Sequence, residues 1–159
     1  MTALQDSFTI LIDTREQTPF AFERWPVKTE RAGLPTGDYS LPGFQDQAAV
    51  ERKSLDDLVG CFMGKDRERF KRELTRGRVM DLFAVVVEAD LQDIARGRYQ
   101  SQMKPQAALQ TISAFFIRYG TPFLFCGDRT GGEYMTHALL SKYLYEIDKR
   151  FQQARKAAG

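Results

Sequence analysis

Residues 81–88, DLFAVVVE, place Leu82, Phe83, Ala84 and three valines on both alternating faces of one extended segment. A β-branched run that is apolar on both sides fits the interior of a sheet whose two faces are covered. Around it, SFTILIDT (7–14) and TPFLFCG (121–127) read as further buried strands. GDYSLPG (37–43) and AAVERK (48–53), separated by Pro42, Gly43 and a polar loop, read as an antiparallel pair. Helix signals follow at 54–63, where Ser54 is placed to cap and Asp56 and Asp57 occupy the first turn, and at 65–76 between Gly64 and Gly77. A short helix is expected at 91–96 and one opened by Pro105 over 105–119, with Leu109, Ile112 and Phe116 on one face. A last helix over 132–155 carries Leu140, Leu144, Ile147 and Phe151 on one stripe, which reads as core, with Tyr143 or Tyr145 available to a second subunit. Residues 15–36, with Pro19, Pro26, Gly33 and Pro35, read as a long loop with a short helix near 27–32. The sum is an α/β fold: a mixed central sheet of four or five strands flanked by helices, in a single domain over 1–159 with its motif-bearing core at about 7–145.

Composition narrows the function classes. No apolar run nears the roughly 20 residues of a membrane span, and MTALQDSF lacks a signal-peptide pattern, so the expected location is cytoplasmic. Cys61 and Cys126 lie far apart without a CxxC or a neighbouring His, which points to reduced thiols rather than a disulfide or zinc framework. His137 is the single histidine, expected on the surface or near a cap, and cannot build a multi-histidine metal site. Trp25, in a Pro-flanked loop, is expected to cover the core rather than to stack on a base. The net charge of +2 conceals a segregation: residues 1–64 hold six Lys/Arg against ten Asp/Glu, whereas 65–79 hold seven against three. Carboxylates for a cation and Lys/Arg for a polyanion suit a protein that binds both.

The chemistry gathers in the acidic third. Asp13 ends the first strand, Asp38 starts the hairpin, and Glu51 and Lys53, two apart on its second arm, point to one face while Arg52 points to the other. Carboxylates of this kind hold a hard divalent cation such as Mg²⁺ or Mn²⁺, and an adjacent ammonium stabilises charge on a phosphorane. The series Gly37-Asp38, twelve residues, Glu51-Arg52-Lys53, three residues, Asp57 resembles the signature of XPF-type structure-specific endonucleases, and IDTRE at 12–16 resembles their Asp-x-Arg-Glu element.

The resemblance implies a restriction-endonuclease-like fold, metal-dependent cleavage of DNA at branched, flapped or forked structures, and a homodimer formed through the nuclease domain. Carried over, Asp38, Glu51 and Lys53 become the catalytic residues, Lys53 as the base or as an electrostatic stabiliser, with Asp13, Glu16, Asp38 and Glu51 the metal set. Arg15 becomes a phosphate contact. Gly37, Arg52 and Asp57 complete the motif as structural residues, with an Arg52–Asp57 ion pair expected. The basic run adds Lys65, Arg67, Arg69, Lys71 and Arg72 as DNA contacts, set against the plainer reading of a solvated helix face. No small-molecule cofactor beyond the metal is implied. The competing function is a noncatalytic DNA-binding or scaffold subunit of a repair or recombination complex.

Overall fold

Val85 and Val87 face one hydrophobic cluster and Val86 the other, and all three are fully buried. The computed structural model describes residues 7–159. Its strands are β1 (Thr9–Asp13), β2 (Lys28–Ala32), β3 (Tyr39–Ser40), β4 (Ala48–Lys53), β5 (Leu82–Val87) and β6 (Phe123–Phe125). Its helices are α1 (Leu55–Gly60), α2 (Gly64–Gly77), α3 (Leu91–Ala95), α4 (Pro105–Tyr119) and α5 (Arg129–Ala157). The strands form one mixed sheet in the order β2-β1-β3-β4-β5-β6, with β3 antiparallel to both neighbours and the other pairs parallel. None of the helices is long and apolar enough to cross a membrane among the described residues.

α1, α2 and α4 cover one face, where Phe62, Phe70, Leu74 and Phe115 pack on Ala49, Val85 and Val87. Each such buried side chain contributes about 1.5–3 kcal/mol. α5 covers the other face through Leu140, together with Phe20 and Phe22 from the loop before β2. Alternation along β4 therefore sends Ala49, Glu51 and Lys53 towards α2, and Val50 and Arg52 towards α5.

Residues 28–32 form a strand, where the sequence predicts a loop with a short helix; KTERA is polar up to Ala32 because β2 is an outer edge paired only to β1, so no apolar alternation marks it. β6 is half-buried rather than buried, being the opposite edge. α5 begins at Arg129, capped by Asp128 accepting from the Gly131 N–H. Its stripe runs from buried Leu140 through half-buried Leu144 and Ile147 to exposed Phe151, so the distal turns leave the core. His137 is half-buried between Phe8 and Trp25, stacked on the indole at 4.2 Å, and burial lowers its pKa. Trp25 covers the core as expected.

Candidate active site

The C-terminal ends of β1 and β4 and the loop entering β3 meet beside α2 and enclose a cleft of about 400 Å³. Its acidic lining is Asp13, Glu16, Asp38, Glu51, Asp57 and Glu73, and its basic lining is Arg15, Arg52, Lys53, Arg69 and Arg76. Asp38 reaches it through Gly37, whose φ of +83° belongs to the left-handed region and whose added Cβ would lie 2.8 Å from Ala49 Cβ. The Asp38 N–H donates to Val50 O, and its carbonyl accepts from Asp13 N–H, so both flanking strands fix its backbone. The Asp38 carboxylate accepts from the Arg52 N–H at 2.8 Å. Burial, then the charge of Glu51, pushes Asp38 up to about 8.

Glu51 and Lys53 stand side by side, with Lys53 Nζ donating to Glu51 Oε1 at 3.0 Å. Burial raises the Glu51 pKa; Lys53 opposes the rise, while Glu73, facing Glu51 from α2, adds to it. Burial, the largest single influence, works against the Lys53 charge, but the charges of Glu51, Cys61 and Glu73 and the hydrogen bond to Glu51 together outweigh it, so the ammonium is held protonated. Its Nζ lies 5.4 Å from the Phe70 ring centre and against the Cys61 thiol, which burial pushes up. Asp38, Glu51 and Lys53 thus converge in one cleft.

The remaining motif residues divide differently from their sequence grouping. Asp13 accepts from Leu34 N–H through Oδ1 and from Arg15 N–H and Nε through Oδ2, which commits its carboxylate to shaping the loops. Burial would raise its pKa, but the Arg15 and Leu34 hydrogen bonds hold it below the ordinary value. Arg15 also donates to Leu34 O while its side chain remains three-quarters exposed at 75%. Glu16 is paired with Arg52 at 3.3 Å. Arg52 does not pair with Asp57 as expected: it bonds Glu88 and Glu16 and lies over Phe20, because strand alternation turns it to the face opposite α1. Asp57 lines the cleft from the first turn of α1, its N–H capped by Ser54 Oγ.

Among the described residues, no three His, Cys, Asp or Glu side chains come together in a metal-holding group. The Asp38–Glu51 pair nevertheless fits a hard divalent cation. Mg²⁺ is commonly held by one or two carboxylates with retained waters, and positive charge there would offset the burial, and the neighbouring carboxylate charge, that raise both groups.

The basic run of α2 is split by helix phase. Arg69 lines the cleft, with Lys65 and Arg72 on the adjoining exposed stripe. Arg67 instead turns inward, donating to Phe62 O and lying 4.9 Å over the Phe115 ring. Lys71 pairs with Glu68 on the same helix. Sequence reasoning missed Glu73 and Arg76, the latter donating to Thr36 Oγ1 at 3.0 Å beside the Gly37-Asp38 turn. The spacing 69, 73, 76 was the available signal, since it defines a single helix face.

The ERCC4 domain family profile matches residues 12–137. No curated protein matches the chain. Among solved structures, XPF from Aeropyrum pernix superposes with a TM-score of 0.66 at 21% identity, covering 83% of this chain and 59% of that one. XPF from Aeropyrum pernix in complex with DNA gives 0.63 at 20% identity, covering 87% and 66%. The chain thus spans less than two thirds of the length of either structure. With the profile covering every motif element from Asp13 to Asp57 and continuing into α5, the chain belongs to the ERCC4 domain family.

Proposed function

We propose that this chain is a divalent-metal-dependent endonuclease that hydrolyses DNA phosphodiester bonds at branched, flapped or forked structures. The observation that carries the reading is the meeting of Asp38, Glu51 and Lys53 in a cleft rimmed by Arg15, Arg69 and Arg76. Membership in a family of nuclease and DNA-binding domains supports it, as does the likeness to an archaeal XPF solved with DNA.

Asp38 and Glu51 would hold Mg²⁺ or Mn²⁺, with Glu16 at the cleft wall and Asp13 shaping the loops behind them. When bound, the ion supplies Lewis-acid stabilisation of a phosphoryl oxygen and acidifies a water. Lys53, kept protonated against its burial by Glu51, Cys61 and Glu73 together, supports an electrostatic role over that of a base: its ammonium stabilises negative charge developing at phosphorus. Arg15, Arg69 and Arg76, with Lys65 and Arg72 alongside, contact the phosphate backbone without reading bases. The alternative of a noncatalytic scaffold is disfavoured because all three central side chains stand in the cleft.

The active form is a homodimer, joined through α4 and the β6 edge. Phe116 and Ile117 are exposed at 52% and 82% there, and Phe116 shares a hollow with Pro122 and Phe123, apolar surface that a second copy would cover. Phe116→Asp with Ile117→Asp gives a monomer by sedimentation equilibrium, whereas an unchanged dimer, or a monomeric wild type, contradicts this arrangement. For the substrate, flap, fork, duplex and single-stranded DNA are compared in one gel assay with Mg²⁺; preferential cut sites at the junctions are expected, and equal cutting of plain duplex would remove the structure specificity.

A further inference from the structure

Arg129 is a basic residue in the first turn of α5, where the helix dipole disfavours positive charge. Its contacts account for the placement. The guanidinium approaches Glu88 Oε1 at 4.0 Å, donates to Thr18 O and Pro19 O at 2.8 and 2.9 Å, and lies 4.9 Å over the Phe20 ring. Glu88, at the end of β5, accepts from Arg52 Nε, and Arg52 reaches Glu16 at 3.3 Å. Glu16 lies on the same loop as Thr18 and Pro19, and its carboxylate accepts weakly from the Thr18 N–H at 3.4 Å. The contacts therefore close a ring: Glu16, Arg52, Glu88, Arg129 and back to the Glu16 loop. The Arg52, Glu16 and Glu88 side chains are only 17%, 9% and 12% exposed, so these charges interact with little solvent screening.

We propose that Glu88 and Arg129 are positioning residues that order the loop of residues 14–19 against the catalytic cleft, acting through Arg52. The inference rests on the nuclease reading for its effect on rate, but the ordering itself does not. Arg52 is the pivot: its side chain joins the ring while its peptide N–H holds the Asp38 carboxylate. A shift of its guanidinium therefore reaches Glu16 directly, on the residue whose backbone N–H holds Asp38. Outer contacts of this kind are worth about 10–100-fold in metal affinity or activity.

The test uses Glu88→Gln, which keeps shape and removes charge, with Arg129→Met and Arg129→Lys. Hydrogen exchange of the Glu16 and Thr18 amides is measured without metal, and kcat and KM are measured on a forked DNA. Glu88→Gln and Arg129→Met are expected to speed exchange in the 14–19 loop at least tenfold and to lower kcat at least tenfold with KM changed less than threefold. Arg129→Lys, which retains the charge, recovers part of both effects. Unchanged exchange in Glu88→Gln and Arg129→Met overturns the proposal, as does an equal loss of protection across the whole sheet. Faster loop exchange in a protein whose wild type never cuts DNA supports the ordering and defeats the nuclease reading instead.

Discussion

The peptide N–H of Arg52 donates to Asp38 Oδ2 across 2.8 Å. The residue between Glu51 and Lys53 in the chain is thereby the one that ties Asp38 to them in space. Antiparallel pairing of β3 with β4, in which Tyr39 faces Val50, sets this register before any side chain acts.

Clustering these carboxylates has a cost in stability that pH reveals. Asp38 is raised to about 8 in the folded protein, whereas in an unfolded chain it ionises near pH 4. Between those values the unfolded state binds fewer protons, so stability falls as pH rises from about 4 and the loss is complete above about 8. Asp38→Asn is therefore expected to raise the melting temperature of metal-free protein at pH 8.5 by several degrees and to leave it nearly unchanged at pH 4. Calorimetry in EDTA at both pH values checks this; a lower melting temperature for Asp38→Asn at pH 8.5 contradicts it.

The arginines of α2 separate by what they touch. Arg69→Ala and Arg76→Ala are each expected to weaken DNA binding and to reduce the salt-dependence slope by about 1; Arg69→Ala leaves folding nearly unchanged, whereas Arg76→Ala also strips the buried Thr36 hydroxyl of its bond and costs about 1 kcal/mol. Arg67→Ala loses its bond to Phe62 O and its place over Phe115, so it lowers stability by about 1–2 kcal/mol while leaving the salt slope unchanged. Lys71→Ala, removing only an exposed pair with Glu68, costs less than about 1 kcal/mol. Fluorescence anisotropy across a salt series, paired with urea unfolding, distinguishes the groups.

Gly37 admits no side chain. Alanine there meets the left-handed penalty of about 1–2 kcal/mol as well as the 2.8 Å approach to Ala49 Cβ. Gly37→Ala is expected to lose stability and to displace Asp38, seen as weaker Mn²⁺ binding by calorimetric titration. Gly43→Ala is the control: Gly43 also has a positive φ, but an added Cβ meets nothing within 4 Å, so only the backbone penalty remains and Mn²⁺ binding is retained.

Residues whose signal is local were legible in the sequence. The two-residue spacing of Glu51 and Lys53 on a strand fixed their common face, and DLFAVVVE announced a central strand because both its faces are apolar. β2 was not legible, since an exposed edge strand imposes no hydrophobic period on KTERA. Glu16, Arg52, Glu88 and Arg129 come from four separate parts of the chain, and only the sheet order brings them together. Arg67 turns to the core although the basic run groups it with the DNA contacts, because such a run conceals its helix phase: a residue's place around the axis, more than its charge, decides whether it faces the cleft or the core.

The most direct test of the central claim is Mg²⁺-dependent cleavage of an end-labelled forked DNA by wild type, Asp38→Asn and Lys53→Met, with circular dichroism confirming that each is folded. Wild type should cut near the junction only when the metal is present, Asp38→Asn should show no metal-dependent cutting, and Lys53→Met should be slower by about 10²–10³. Cleavage at the wild-type rate by either folded variant would contradict the assignment of this cleft as the active site.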